Sequence, residues 1–569
     1  MLDTDDEPPR PDASKPQIRG LRSLIERAEL GFVVSEVGER LKNNSSRFVR
    51  ERNLLLWVLA LGIGIGVAYA SLIFRGLLGA IQWLWLGTTS EAFLDRAHDL
   101  PWPVVLLAPV LGGLIVGWLL VTFMPGRRAN GVADVIEARA INDCKIDPKA
   151  GIWSAVISIV SLGFGASAGR EGPVVHLGAA LASFIEDRFS FDASARRILL
   201  ACGVAAAVSA SFNAPIAGVL FAHEVILAHY AMRAFVPIVI SSVVAAVIVR
   251  THLGNFPAFT VPAYDITSYL EFPAFALLGL TCALVAILFE VALMATERVA
   301  WRFDIPLWAR PAVGGLMIGT IAVFLPEILG VGYGATEQAL QRDLPLTLLL
   351  VLIVAKTVAT AITLASRFGG GIFSPALYLG AMTGGAFGAM AAGVFPELAS
   401  SQSLYVLLGM GGVAAAVLGA PISTTLIVFE LTGGYEMTIA LLLTVSISNG
   451  LTMAALGQSF FHWQLTRRGL SLQDGPHKEI MQRMTVAQFM SPVPDDEPPP
   501  PAPNGVDEPW LMPGDTLERA LREFDRRDTR RIAVVSGVDE TRVIGWADRV
   551  DAVSAFNRAL IESHVEEHR

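Results

Sequence analysis

Charge is what this chain has least of. Of its 569 residues 17% are charged and 53% hydrophobic, with a mean hydropathy of +0.53. A soluble protein of this size carries about a quarter charged residues, so the deficit excludes an ordinary soluble domain and predicts a polytopic membrane protein. An excess of positive charge is also missing. The net charge of -9 resides mostly in the tails and gives no reason to expect nucleic acid as a partner. The three cysteines, Cys144, Cys202 and Cys282, are far apart and odd in number, which argues against a disulfide framework or a metal site. No H-E-x-x-H motif and no nucleophile–base pair stands out, so an enzyme is the remote alternative and no cofactor is indicated. Met1 opens an acidic, proline-containing stretch rather than a secretory signal peptide.

What the chain has in abundance is apolar sequence between residues 53 and 470. Apolar segments run at about 53–86, 103–124, 151–166, 173–186, 197–209, 214–228, 233–251, 271–297, 307–330, 345–365, 372–395, 403–418, 421–432 and 436–457. Several are shorter than the ~20 residues a crossing helix needs. Short segments interrupted by Gly and Pro predict broken or re-entrant helices, tolerated at membrane depth only where protein or a water-filled cavity surrounds them. Residues 1–52 form a polar tail whose stretch 21–41 has the spacing of an amphipathic helix, and residues 471–569 form a polar C-terminal region. Arg40, Lys42, Arg47, Arg50 and Arg52 precede the first apolar run, and Arg467 and Arg468 close the last. By the positive-inside tendency both termini are expected in the cytoplasm.

One stretch repeats. Gly169-Arg170-Glu171-Gly172-Pro173 places a charged pair within a glycine-rich break, and an ionisable residue at that depth marks an ion pathway by default. Gly371-Ile372-Phe373-Ser374-Pro375 repeats the frame without the charges, and both continue as Leu-Gly-Ala, at 177–179 and 379–381. Gly-Val-Ala-Ala-Ala-Val then occurs at 203–208 and 412–417, and Ala-Pro-Ile at 214–216 and 420–422, each followed at equal spacing by a glutamate, Glu224 and Glu430. The membrane region therefore reads as two related halves split near 255–270, an arrangement that places a substrate site where the halves meet.

The repeated break has a chemical consequence. It frees backbone N–H groups at the start of the helix that follows, and those groups, with a dipole end of roughly +0.5 charge, attract an anion. Two converging helix starts hold a dehydrated anion without a formal cation, weakly enough for release. Glu171 is then a carboxylate beside an anion site. It acts as a tethered anion that blocks the site until protonated or displaced; the plainer alternative is an ion pair with Arg170.

These motifs resemble two selectivity-filter motifs of the CLC family of chloride channels and chloride/proton antiporters, over about residues 50–470 and into the tail. The resemblance implies an all-α polytopic fold, an inverted repeat of broken and tilted helices, in a homodimer with one pore per subunit. It implies Glu171 as the gate, with Gly169, Arg170, Gly172, Gly371, Ile372 and Phe373 at the anion sites. Three positions depart from the family pattern. Ala129-Asn130-Gly131-Val132-Ala133 stands where Gly-Ser-Gly-Ile-Pro is usual, so Asn130 and Gly131 are anion-binding candidates in which an amide replaces a hydroxyl. Phe461, or Phe460 if the alignment slips by one, stands where a tyrosine is usual. Val225 follows Glu224 where antiporters often carry a second glutamate as an internal proton relay. His223, Glu224 and Val225 with Glu171 are thus a doubtful proton pathway, and channel-like conduction is favoured over antiport.

The tail resembles a single CBS-like α/β domain with a proline-rich loop at 493–509. A dimer-stabilising role is its simplest reading; nucleotide binding has no support in the sequence. Expected partners are chloride or a similar anion, the lipid bilayer (a bacterial inner membrane) and a second copy of the chain.

Overall fold

The computed structural model describes residues 39, 40, 42, 53–90, 93–254, 259, 262, 266–432, 435–470, 476–493, 510–536 and 542–568. The amphipathic stretch 21–41 lies almost wholly outside them, as do the proline-rich loop beyond Val493 and part of the 255–270 split. The chain divides into two units, Met1–Val58 and Leu59–Arg569, and the fold and site described below lie in the second.

Among the described residues eight helices are long and apolar enough to cross a membrane, the first being α1 (Asn53–Leu86). After the short α2 (Leu94–Asp99) come α3 (Trp102–Phe123), α4 (Val132–Ile141), α5 (Pro148–Gly163), α6 (Glu171–Glu186), α7 (Ala193–Phe212), α8 (Pro215–Phe221) and α9 (Met232–Leu253). The second half follows the same order: α10 (Phe272–Ala300), α11 (Arg310–Phe324), α12 (Tyr333–Gln341), α13 (Leu346–Ala365), α14 (Phe373–Val394), α15 (Gln402–Leu418), α16 (Pro421–Thr432) and α17 (Tyr435–Leu456). Helix α18 (Phe460–Thr466) closes the membrane region. The expected segment 214–228 is two pieces, α8 and a π-helical turn at Ala222–Leu227, and the segment 307–330 stops as a helix at Phe324, two residues before Pro326.

Small residues let the halves approach. Helices α3 and α11 cross so closely that a Cβ on Gly113 would collide with the Pro311 carbonyl and one on Gly315 with the Pro109 carbonyl, while one on Gly117 would strike the carbonyl of Trp308 just before α11. The contact is reciprocal, glycine of each helix on backbone of the other, as a two-fold relation requires. In a bilayer, where apolar side chains gain nothing by leaving lipid, such close backbone packing drives helix association.

The repeated glutamates show the same symmetry. Glu224 accepts the backbone N–H groups of Ile422 (3.0 Å) and Ser423 (2.7 Å) and the Ser423 hydroxyl, capping α16. Glu430 accepts those of Ile216 (3.0 Å) and Ala217 (2.7 Å), capping α8. Each half supplies the anionic cap for a proline-initiated helix of the other, satisfying N–H groups that have no partner within their own helix.

The C-terminal region begins with α19 (Pro476–Arg483) and carries a four-stranded sheet of order β1-β4-β3-β2: β1 (Ser491–Pro492), β2 (Trp510–Leu511), β3 (Arg531–Val535) and β4 (Val543–Asp548). Strands β2 and β3 are parallel, and the other pairs are antiparallel. Helices α20 (Leu517–Arg527) and α21 (Arg549–His568) complete it, and Leu517, Phe524, Ile532, Val534 and Ala547 form its core. Helix α20 leads into β3, and β4 leads into helix α21.

Candidate anion pathway

The two repeated breaks meet. Gly169 N donates to Gly371 O, and Gly371 N donates to Gly169 O, both at 2.7 Å, forming an antiparallel bridge between equivalent positions. The local two-fold axis therefore passes between these glycines, and α6 and α14 begin beside it, at Glu171 and Phe373. A Cβ on Gly169 would lie 2.6 Å from Glu171 Oε2, 3.0 Å from Ser374 N and 3.3 Å from Gly371 O, so glycine is needed here for close approach.

Below the bridge lies a cavity of about 300 Å³. Glu171, Gly172, Gly371, Ile372 and Phe373 line it, together with Asn130, Gly131, Phe460 and Phe461 from distant parts of the chain. Most of the residues singled out in the sequence thus converge on one space, and both phenylalanines that the alignment allowed face it. Gly169 and Arg170 are not on its wall. Gly169 is held in the bridge, and the buried Arg170 donates from Nη2 to Ser211 O (3.2 Å), its guanidinium 5.3 Å from the Tyr333 ring.

The loop before α4 is fixed from within. Asn130 N donates to Ser154 Oγ (3.0 Å) and Gly131 N to Asp134 Oδ2 (2.8 Å), so these two N–H groups are engaged by the protein. Asp134 also accepts both arms of the Arg128 guanidinium, and Arg468 at 3.0 Å. Burial raises its pKa, but the hydrogen bonds and charge of Arg128, with Arg468 behind, outweigh that and hold the carboxyl at about 2. The mouth carries Arg128, Arg367, Arg467 and Arg468 against Asp134 and Glu297, a positive bias suited to drawing in anions. Arg467 pairs with Glu297 at 2.9 Å, and Arg483 of α19 with Asp143 just after α4, so this mouth lies at the end of the membrane region next to the C-terminal domain.

Glu171 is 2% exposed, on the cavity wall. Its Oε1 accepts the Ser374 hydroxyl (2.6 Å) and the Tyr333 hydroxyl (3.3 Å), with Arg170 Nε at 4.0 Å. Oε2 has no hydrogen-bond partner among the described residues. The carboxylate of α6 thus lies against the first turn of α14, where N–H groups and the dipole end point.

His223, Glu224 and Val225 are elsewhere. None lines the cavity, although Phe221, two residues before His223, does. Glu224 spends both oxygens capping α16, and His223 Nδ1 lies 3.0 Å from His229 O, its ring stacked on Tyr230. Sequence reasoning gave no site role to Tyr333, Arg128 or Arg367, named Ser374 only as part of the repeated motif, and used Arg467 and Arg468 only for topology. The repeat held a signal for the first: the frame that aligns Pro173 with Pro375 sets Gly131, at the start of α4, opposite Tyr333.

The family model described as voltage gated chloride channel matches residues 112–453. A protein of Ralstonia nicotianae described as a putative chloride channel protein ClcB-like is 32% identical over 400 residues, covering 69% of this chain and 92% of that one. The structure of a slow cyanobacterial Cl-/H+ antiporter superposes with a TM-score of 0.64 at 22% identity, over 74% of this chain and 99% of that one. A eukaryotic CLC transporter gives 0.64 at 17% identity, over 88% and 98%. At those identities the two structures speak for the fold alone, an integral-membrane arrangement of broken helices. With the family match and the relative's identity, they lead to one conclusion: the chain is a member of the voltage-gated chloride channel, or CLC, family.

Proposed function

We propose that the protein moves chloride or a similar small anion across the membrane through this cavity, gated by Glu171, and that it catalyses no chemical conversion. One observation carries the reading: a buried carboxylate with one unbonded oxygen stands where two helix N-termini meet, at the closed end of a cavity whose mouth is biased positive. Protonation would discharge the carboxylate and free the site for an anion. Chloride efflux from liposomes holding the purified protein is the direct test. Glu171→Gln, which mimics the protonated gate, should raise flux several-fold and flatten its pH dependence; unchanged flux and pH response would sink the assignment.

Channel-like conduction is the favoured mode, because Val225 offers no proton acceptor and the Glu224 carboxylate is occupied as a helix cap. Antiport is the second reading, supported by the Cl-/H+ antiporter among the structures of like fold. Recording pH during chloride efflux separates them, since uphill proton movement in fixed proportion to chloride would overturn the channel mode. The α/β domain after α18 fits a single CBS-like module whose pairing would come from a second subunit of a homodimer, with both termini in the cytoplasm of a bacterial cell. Its sheet order and helices support that reading.

A further inference from the structure

We infer that Tyr333 and Ser374 form a latch that holds the Glu171 carboxylate in its blocking position and sets the pH at which the gate opens. The inference rests on the gating role given to Glu171 above.

Both hydroxyls donate to the same oxygen, Oε1, from different helices. Ser374 lies in the first turn of α14 on the two-fold axis, and Tyr333 is the first residue of α12. Tyr333 is not on the cavity wall, so the carboxylate stands between the cavity and the Tyr333 hydroxyl. Leaving the blocking position means giving up two hydrogen bonds to a charged acceptor, the stronger kind.

Tyr333 is placed by a rigid support. Gly332 starts α12 at φ +92°, and a Cβ there would lie 2.6 Å from the Tyr378 ring. Lys356, fully buried in α13, donates to Ile328 O and Gly330 O at 2.9 Å each, pinning the turn that delivers the tyrosine. The Arg170 guanidinium lies over the Tyr333 ring, with Nε 4.0 Å from Oε1. Among the described residues Arg170, Tyr333 and Ser374 are the polar groups seen to face the carboxylate. Asp134 and Glu297 of the mouth are paired with arginines, and Lys356 lies against Gly332, next to the tyrosine. The two-fold relation accounts for the position. Gly131 stands at the start of α4 at the cavity on one side of the gate, and its counterpart Tyr333 starts α12 on the other.

The test is chloride efflux against pH from liposomes holding the full chain, as wild type, Tyr333→Phe, Ser374→Ala, Glu171→Gln and the two double variants with Glu171→Gln. Tyr333→Phe removes one oxygen and keeps the ring. Each latch variant should raise flux at neutral pH several-fold and move the pH of half-maximal flux upward by about one unit. In the Glu171→Gln background neither should change flux. An unmoved pH midpoint in both single variants overturns the latch, as does an equal change of flux with and without Glu171, which a purely structural role would give. If Tyr333→Phe does not fold, Ser374→Ala alone decides by the same criteria. Should Glu171→Gln itself leave flux and pH response unchanged, the gate reading fails and the latch with it. A strong Glu171→Gln effect with inert latch variants overturns the latch alone.

Discussion

In the first half of the membrane region α6 begins with Glu171, whose carboxylate crosses to the start of α14. In the second half α14 begins with Phe373, whose ring packs 4.8 Å from Phe212 and 6.2 Å from Phe221. The backbones at these two positions are equivalent, bridged glycine to glycine, so the difference lies in the side chains alone. Symmetry brings two like helix starts together, and one substitution within the symmetry sets a carboxylate between them, the proposed gate. The same contrast recurs one layer out, where Gly131-Val132 opens onto the cavity and Tyr333 donates its hydroxyl to Glu171. By contrast Glu224 and Glu430 have kept one job in both halves, capping each other's helices. Symmetry is retained where it holds the halves together and broken at the cavity.

The harshest way to break the retained symmetry is at the α3–α11 crossing. Valine at Gly117 or Gly315 would drive a side chain into a facing backbone carbonyl that cannot move independently, at a cost of about 3 kcal/mol or more. Loss of the monodisperse folded species in size-exclusion chromatography is expected for either, and well-folded variants would show that the crossing is looser than described. Next come the exchanged caps. Glu224→Ala and Glu430→Ala each strand two backbone N–H groups, those of Ile422 and Ser423 or of Ile216 and Ala217. Each should lower stability by about 1–3 kcal/mol, read as a drop in melting temperature in detergent. Similar drops would sharpen the symmetric reading, and an effect in only one half would contradict it.

The smallest expected effect concerns Asp134, whose capping role at α4 has no carboxylate counterpart described at α12. Its folded-state pKa of about 2 lies below the ordinary value of 3.8. The stability it adds is therefore present above pH ~4 and lost as pH falls through about 2. Linkage puts the loss between pH 5 and pH 3 at about 1 kcal/mol. Asp134→Asn should abolish that acid-limb difference relative to wild type in chemical denaturation, and an unchanged limb would remove Asp134 from the account.

Much of the fold was legible because helix formation in lipid is a local matter. The apolar run 53–86 is helix α1 residue for residue, 421–432 is α16, and 436–457 is α17 shifted by one. Helices α4 and α12 were not legible in hydropathy, being short and interspersed with polar residues, Asp134, Glu137 and Arg139 in one and Glu337, Gln338 and Gln341 in the other. Glu224 and Glu430 were conspicuous as a repeated pair, yet their function was not, because each caps a helix about two hundred residues away. Asn130 and Phe461 were picked out through the family resemblance, and both line one cavity. Tyr333 was passed over because an isolated tyrosine in a glycine-rich turn has no local signature.

The sequence by itself determined that the chain is a two-fold-repeated membrane protein with a charged break at Glu171. Composition, segment length and internal repetition are properties of one dimension and need no folding to be read. Only the tertiary structure decided that the Gly169 and Gly371 breaks bond to one another and that Glu171 rests on the other half's helix start. It also decided that Glu224 is a cap rather than part of the cavity, and that Tyr333 reaches the Glu171 carboxylate. Each of these depends on which remote backbone groups lie within about 3 Å, and that distance is fixed only when the two halves pack.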